Sequence, residues 1–172
     1  MNQKISGRTW NALAFAAPLL LALPAFAQKP TIQLLSFTGG VAPTENVCGF
    51  NILVTPEAGK PNGERLILFG NTAIIAGPLF NTLTNLSTGK TVDVNVSGPG
   101  LLTFSGNTTT VVAMGPGVFW SHPLSPAVAA AAGLPRVFLL HGRIVFTVDE
   151  QGNVISIPSV TGTVEDVCRL LQ

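Results

Sequence analysis

The chain has 172 residues, nine of them Lys or Arg and eight Asp or Glu, so charged residues make up only 10% of it. A near-neutral chain whose basic residues occur singly offers no electrostatic footprint for nucleic acid or an anionic membrane surface. Eighteen glycines and 13 prolines, spread without a period, describe a turn-rich folded protein rather than a low-complexity one.

The first element is a leader. Lys4 and Arg8 precede the apolar run Ala12 to Leu23, and Ala25-Phe26-Ala27 supplies the small-x-small pattern of a signal peptidase site. The run is too short to cross about 30 Å of hydrocarbon, and Pro18 interrupts it. A lipid anchor would need cysteine at the cut, where Gln28 stands. Residues 1–27 are therefore expected to be a signal peptide cleaved after Ala27. Taking 27 residues from 172 leaves 145, one all-β domain over 28–172, secreted or periplasmic and without a membrane span. Lys4 and Arg8 leave with the leader, so seven basic residues face eight acidic ones, a net charge of −1.

Strand signals dominate the remainder of the chain. Thr31 to Phe37, Phe50 to Thr55 and Glu64 to Phe69 are the first candidates, separated by turn-forming stretches such as "TPEAGKPNGE". Leu79 to Leu86 runs through Ser87 to Lys90 into Thr91 to Val96, where Val92, Val94 and Val96 alternate with polar residues, a hairpin with one buried face. Leu101 to Phe104 and Thr108 to Met114 come next, with "SGPG", "SGN" and "MGPG" as turns. The stretch "SPAVAAAAGLP" is a short helix near 126–132: Ser125 stands at the N-cap, Pro126 at the first helical position and Gly133 at the stop. A second hairpin joins Arg136 to Val148 to Val154 to Val160 through "DEQGN", and Gly162 to Val167 closes the series. Gly142, inside the longest strand, marks a bulge or a bend. Eight to ten short strands so punctuated predict a single antiparallel β-barrel or β-sandwich.

The chain has two cysteines, Cys48 and Cys168. In an oxidising compartment the simplest expectation is one disulfide, with free or reactive thiols as the alternative. Metal binding fails on ligand count: the two histidines are distant in sequence, and no Cys-x-x-Cys or His-x-x-x-His spacing occurs.

Four other residues are possible ligand contacts. His141 and Arg143 share one face of the long strand with Val137, Leu139 and Val145, opposite the core face Phe138, Leu140, Ile144 and Phe146. Inside a barrel that pair would meet an anionic or carbonyl-bearing ligand; otherwise it points to solvent. Trp120 and His122, in "FWSHPL", offer a stacking platform or merely plug an open end of the fold. No catalytic residue is identified. Among Asp93, Asp149, Glu150, Glu165 and Asp166 nothing marks a facing carboxylate pair. No Gly-x-Ser-x-Gly, phosphate loop or dinucleotide fingerprint occurs, and no cofactor is implied.

"NVCGFNILV", "TLTNLSTGKTVDVNVSGPG", "VFTVDEQGNVI" and "GTVEDVCRLL" together resemble a group of small exported bacterial proteins. These share a Cys-Gly-Phe start, a "TNLSxGK" hairpin, an "F-x-x-D-x-x-G-N" turn and a closing "D-V-C-x-L-L". The resemblance covers roughly residues 46–171. It implies a Cys48–Cys168 pairing, a single domain and, for a bacterial chain, unmodified Asn-x-Ser/Thr sites at Asn85, Asn95 and Asn107; it supplies no catalytic residue. The alanine-rich stretch Pro126 to Gly133 departs from the pattern. The expected role is non-catalytic binding of a small apolar ligand or a surface partner. The alternatives are a small barrel enzyme of isomerase or cyclase type acting in the lumen, and a purely structural surface protein.

Overall fold

Alternation along "FNTLTN" buries every second residue: Asn81, Leu83 and Asn85 face inward from the strand Phe80–Asn85. The strand Thr91–Asn95 alternates likewise in the computed structural model, which describes residues 29–41, 47–120 and 126–172. The leader expected over 1–27 and His122 lie outside the described residues.

The strands, in chain order, are β1 (Thr31–Leu35), β2 (Gly40–Val41), β3 (Ile52–Pro56), β4 (Glu64–Phe69), β5 (Thr72–Ala76), β6 (Phe80–Asn85), β7 (Thr91–Asn95), β8 (Gly100–Ser105), β9 (Thr108–Trp120), β10 (Val137–Asp149) and β11 (Val154–Asp166). Helix α1 (Pro126–Ala131) precedes β10, and a single turn, α2 (Val167–Leu170), follows β11. Every pairing is antiparallel. One sheet has the order β1-β4-β5-β8-β9-β10-β11 and the other β2-β3-β6-β7. Among the described residues neither sheet closes on itself, so the fold is sandwich-like and the barrel alternative is set aside.

Both expected hairpins form. Between β6 and β7 the Asn85 N–H donates to Lys90 O (2.9 Å) and the Gly89 N–H to Asn85 O (2.8 Å). Between β10 and β11, Asp149 holds the turn: its Oδ1 accepts from the N–H groups of Gln151 (3.0 Å) and Asn153 (2.8 Å). Its Oδ2 accepts from Asn153 Nδ2 (3.0 Å). Led by that side-chain bond, these hydrogen bonds favour the carboxylate and lower the pKa of Asp149. Helix α1 ends as expected, with Gly133 at φ +67° and its N–H on Ala130 O (3.0 Å), and it packs against β11.

Three expectations change. "TAIIA" is a strand, β5, joined to β4 by the two-residue loop Gly70-Asn71. "MGPG" is not a turn: Met114 to Gly117 continue β9, with Pro116 opposite His141. The two segments expected on either side of Thr161 are one strand, β11. The physical reason is shared by the last two. Gly115, Gly142 and Gly162 stand side by side across β9, β10 and β11, and the ladder crosses them without a break. Gly115 and Gly162 take φ values of +81° and +110°. These lie outside the extended region, so the strands change direction without ending. Gly142 therefore marks a bend. The irregularities in the β10–β11 ladder lie between Val145 and Val148, where edge strand β11 carries Pro158.

The core is built on this geometry. From Val137 to Leu140 both faces of β10 are buried, and exposure begins at His141. Val137 and Leu139 pack with Ile52, Leu83, Val94, Val167 and Leu171. Phe138, Leu140 and Ile144 pack on the opposite face with Phe119, Phe146, Val160 and Val164. The Phe119 ring stacks on Phe138 with centroids 5.4 Å apart and meets Phe146 edge-on at 6.3 Å.

Candidate functional site

A cavity of about 590 Å³ separates the two sheets near the glycine bend. One wall is the small sheet: Gly40 and Val54 pair across β2 and β3, Val54 and Leu83 across β3 and β6, and Asn81 and Val96 complete it. The opposite wall runs across the large sheet through Ile75, Gly100, Leu102, Val111, Ala113 and Phe146. Phe119 and Trp120 line it from the end of β9, and Glu64 from the start of β4. Glycine at positions 40 and 100 keeps the walls thin. A Cβ at Gly40 would meet nothing within 4 Å, and one at Gly100 only Leu102 Cδ1 at 4.0 Å.

Two polar side chains interrupt the apolar lining. Burial raises the pKa of the Glu64 carboxyl, because a carboxylate loses hydration there. Asn81 is only 7% exposed, and its Oδ1 has no hydrogen-bond partner. The reason is local. Directly across the ladder from Asn81 are Pro56 on β3 and Val94 on β7, whose side chains offer no hydrogen-bonding group. Asn85, four residues along the same face, is the contrast. Its Nδ2 donates to Leu171 O (3.1 Å), and its Oδ1 accepts from the N–H of Ser87 (2.8 Å) and of Thr88 (3.3 Å).

Of the expected ligand contacts among the described residues, only Trp120 lines this cavity, half-buried against the first core cluster. His141 and Arg143 are exposed on β10 and do not line the cavity. They sit beyond the last buried residue of their face, Leu139, where the bent strand leaves the small sheet. Asn81 and Glu64 were not among the expected site residues. The signal available for Asn81 was the strict alternation of "FNTLTN", which places an amide in register with buried Leu83. For Glu64 no local signal existed, since its burial comes from the cavity.

Cys48 and Cys168 form the disulfide, with Cα atoms 5.2 Å apart and 120 residues between them in sequence. Cys168 sits in α2, whose N-cap Asp166 accepts from the Arg169 N–H (3.3 Å). A hollow of about 380 Å³ beside the bridge contains Arg136, but its Nη1 already donates to Val47 O (3.4 Å). Among the described residues no three His, Cys, Asp or Glu side chains gather as a metal site, and no helix is long and apolar enough to cross a membrane.

Comparison of the chain with protein-family models, with curated proteins and with solved structures gives no match.

Proposed function

We propose that this chain is an exported, disulfide-stapled β-sandwich that binds one small, mostly apolar molecule, without catalysis, between its sheets. The cavity carries this reading. Its volume falls within the roughly 300–1,000 Å³ of small-molecule sites, and such sites combine an apolar lining with a few placed polar groups. A packed interior would have favoured a purely structural role. The enzyme alternative needed a lumen with acid–base machinery. Among the described residues the cavity lining contains one carboxyl, Glu64, and no second acid, histidine, lysine or arginine to work with it. Export is supported by the leader pattern at residues 1–27, by the resemblance to small exported bacterial proteins and by the suitability of a disulfide to an oxidising compartment.

Filling the cavity tests the proposal. The side chain of Gly100→Leu would project into it beside Leu102. The variant is expected to keep its β circular-dichroism spectrum and to lose uptake of a neutral apolar fluorophore such as N-phenyl-1-naphthylamine. Equal uptake by a folded variant would refute binding in this cavity. Terminal sequencing of the exported protein tests the leader, with Gln28 expected first.

A further inference from the structure

The unpartnered amide of Asn81 limits what the cavity accepts. Buried polar groups in folded proteins are almost always hydrogen-bonded, because desolvating an amide without replacing its bonds to water is unfavourable. The chain gives both polar atoms of Asn85 a partner on the same face of β6, so an orphaned Asn81 oxygen is not a general looseness of this strand. Its cross-strand neighbours, Pro56 and Val94, have side chains that cannot serve it. The side chain lines the cavity, and its oxygen, buried as it stands, comes to face the space when the amide turns about its Cβ–Cγ bond, a soft two-fold torsion.

We infer that the cavity selects an apolar molecule bearing a hydroxyl group, whose O–H donates to the Asn81 amide oxygen. The inference rests on the cavity-binding reading and assigns the chemistry of its ligand. A hydroxyl is both donor and acceptor, so it complements an amide in either orientation. A carboxylate ligand would find no Lys, Arg or His among the described lining residues and would face Glu64. An ammonium group would have Glu64 as its counter-charge, but it would have to shed its hydration in a mostly apolar cavity. A neutral alcohol matches the neutral amide and leaves the rest of its surface for Val54, Leu83, Val111 and Phe119.

The chain contains its own reporter. It has no tyrosine and two tryptophans, Trp10 in the leader and Trp120 in the cavity wall. In the full chain with Trp10→Phe, the emission of Trp120 is followed during titration with 1-decanol, decyl methyl ether and decylamine. The alcohol is expected to bind at least about tenfold more tightly than the ether, because the ether cannot donate a hydrogen bond. Asn81→Leu, which keeps the volume and removes the amide, is expected to lower the alcohol to the level of the ether and leave the ether unchanged. If that variant does not fold, the alcohol-to-ether ratio in the unsubstituted cavity decides alone. Equal affinities for alcohol and ether overturn the hydroxyl assignment and leave the binding reading intact. Tighter binding of decylamine than of decanol also overturns it and points to Glu64. If none of the three perturbs Trp120, the binding reading falls with it.

Discussion

Gly142 on β10 and Gly162 on β11 face each other at a distance that leaves no room for a side chain on either. A Cβ built on Gly142 would lie 2.8 Å from the Gly162 Cα and against the Thr161 carbonyl oxygen. One built on Gly162 would lie 2.7 Å from the Gly142 Cα and against the His141 carbonyl oxygen. Backbone therefore packs on backbone where β9, β10 and β11 bend together. Before this line Val137 to Leu140 are buried on both faces of β10, and beyond it the strand contributes Phe146 to the cavity wall and exposes Arg143. The cavity lining draws on both sides of the bend, with Val111 and Ala113 of β9 on one side of Gly115 and Gly117 to Trp120 on the other.

The first prediction comes from that contact. Gly142→Ala and Gly162→Ala are each expected to destabilise the fold by on the order of 3 kcal/mol, since the neighbouring atoms are main chain and cannot rotate away. At Gly162, φ of +110° adds backbone strain. Gly152→Ala is the control. It also has positive φ (+82°), but its Cβ would meet nothing within 4 Å, so strain alone acts there. Urea unfolding of the three variants checks the order. A cost at Gly142 no larger than at Gly152 would show that the close approach is not what fixes the bend.

The second prediction concerns Cys48 and Cys168. Val47, Phe50, Val167 and Leu171, which flank the bridge, are all buried in one cluster, so the bond staples segments that already pack together. Replacing either cysteine with serine should destabilise the fold by about 2–5 kcal/mol, the range for closing a long loop, and the two single variants should match the double. Titration of the unreduced, denatured protein should find no free thiol. Single variants that differ clearly from the double would mean that one cysteine acts independently of the other.

What was legible in the sequence divides by the range of the forces involved. The β6–β7 and β10–β11 hairpins were readable because alternation and turn residues such as Gly89 and Gly152 are local signals. Strand β5 was missed because "TAIIA" is a short apolar run without alternation, and its tight Gly70-Asn71 link to β4 looks like any other turn. In "MGPG" the local turn signal points the wrong way, since Met114 to Gly117 continue β9. It was overruled by Gly142 and Gly162, whose absent side chains let the neighbouring strands take the same change of direction. The site was less legible than the fold. Trp120 lines the cavity, while His141 and Arg143 are exposed, one of the two placements their strand position left open. Asn81 and Glu64 are defined by what lies across the cavity from them, and sequence spacing does not encode that.

The last prediction uses the partial burial of Glu64. Its pKa is raised above 4.5 in the folded protein because the cavity wall strips water from the charged form. A carboxyl whose folded pKa exceeds its unfolded value contributes no penalty below the unfolded value, where both states hold the proton. As pH rises through the folded pKa, the unfolded chain has already released its proton and the folded chain must ionise a partly desolvated group, so stability falls and then levels off. Glu64→Gln keeps the shape of the side chain and cannot ionise. The variant is therefore expected to unfold at a higher temperature than the parent at pH 7, with the gap closing below about pH 4. Comparing the two chains at each pH cancels every other group, including Asp149, whose lowered pKa acts in the opposite sense. Differential scanning calorimetry of both proteins between pH 3.5 and 7.5 supplies the measurement. A gap that is constant with pH, or one that favours Glu64 at pH 7, would mean that desolvation does not govern this carboxyl.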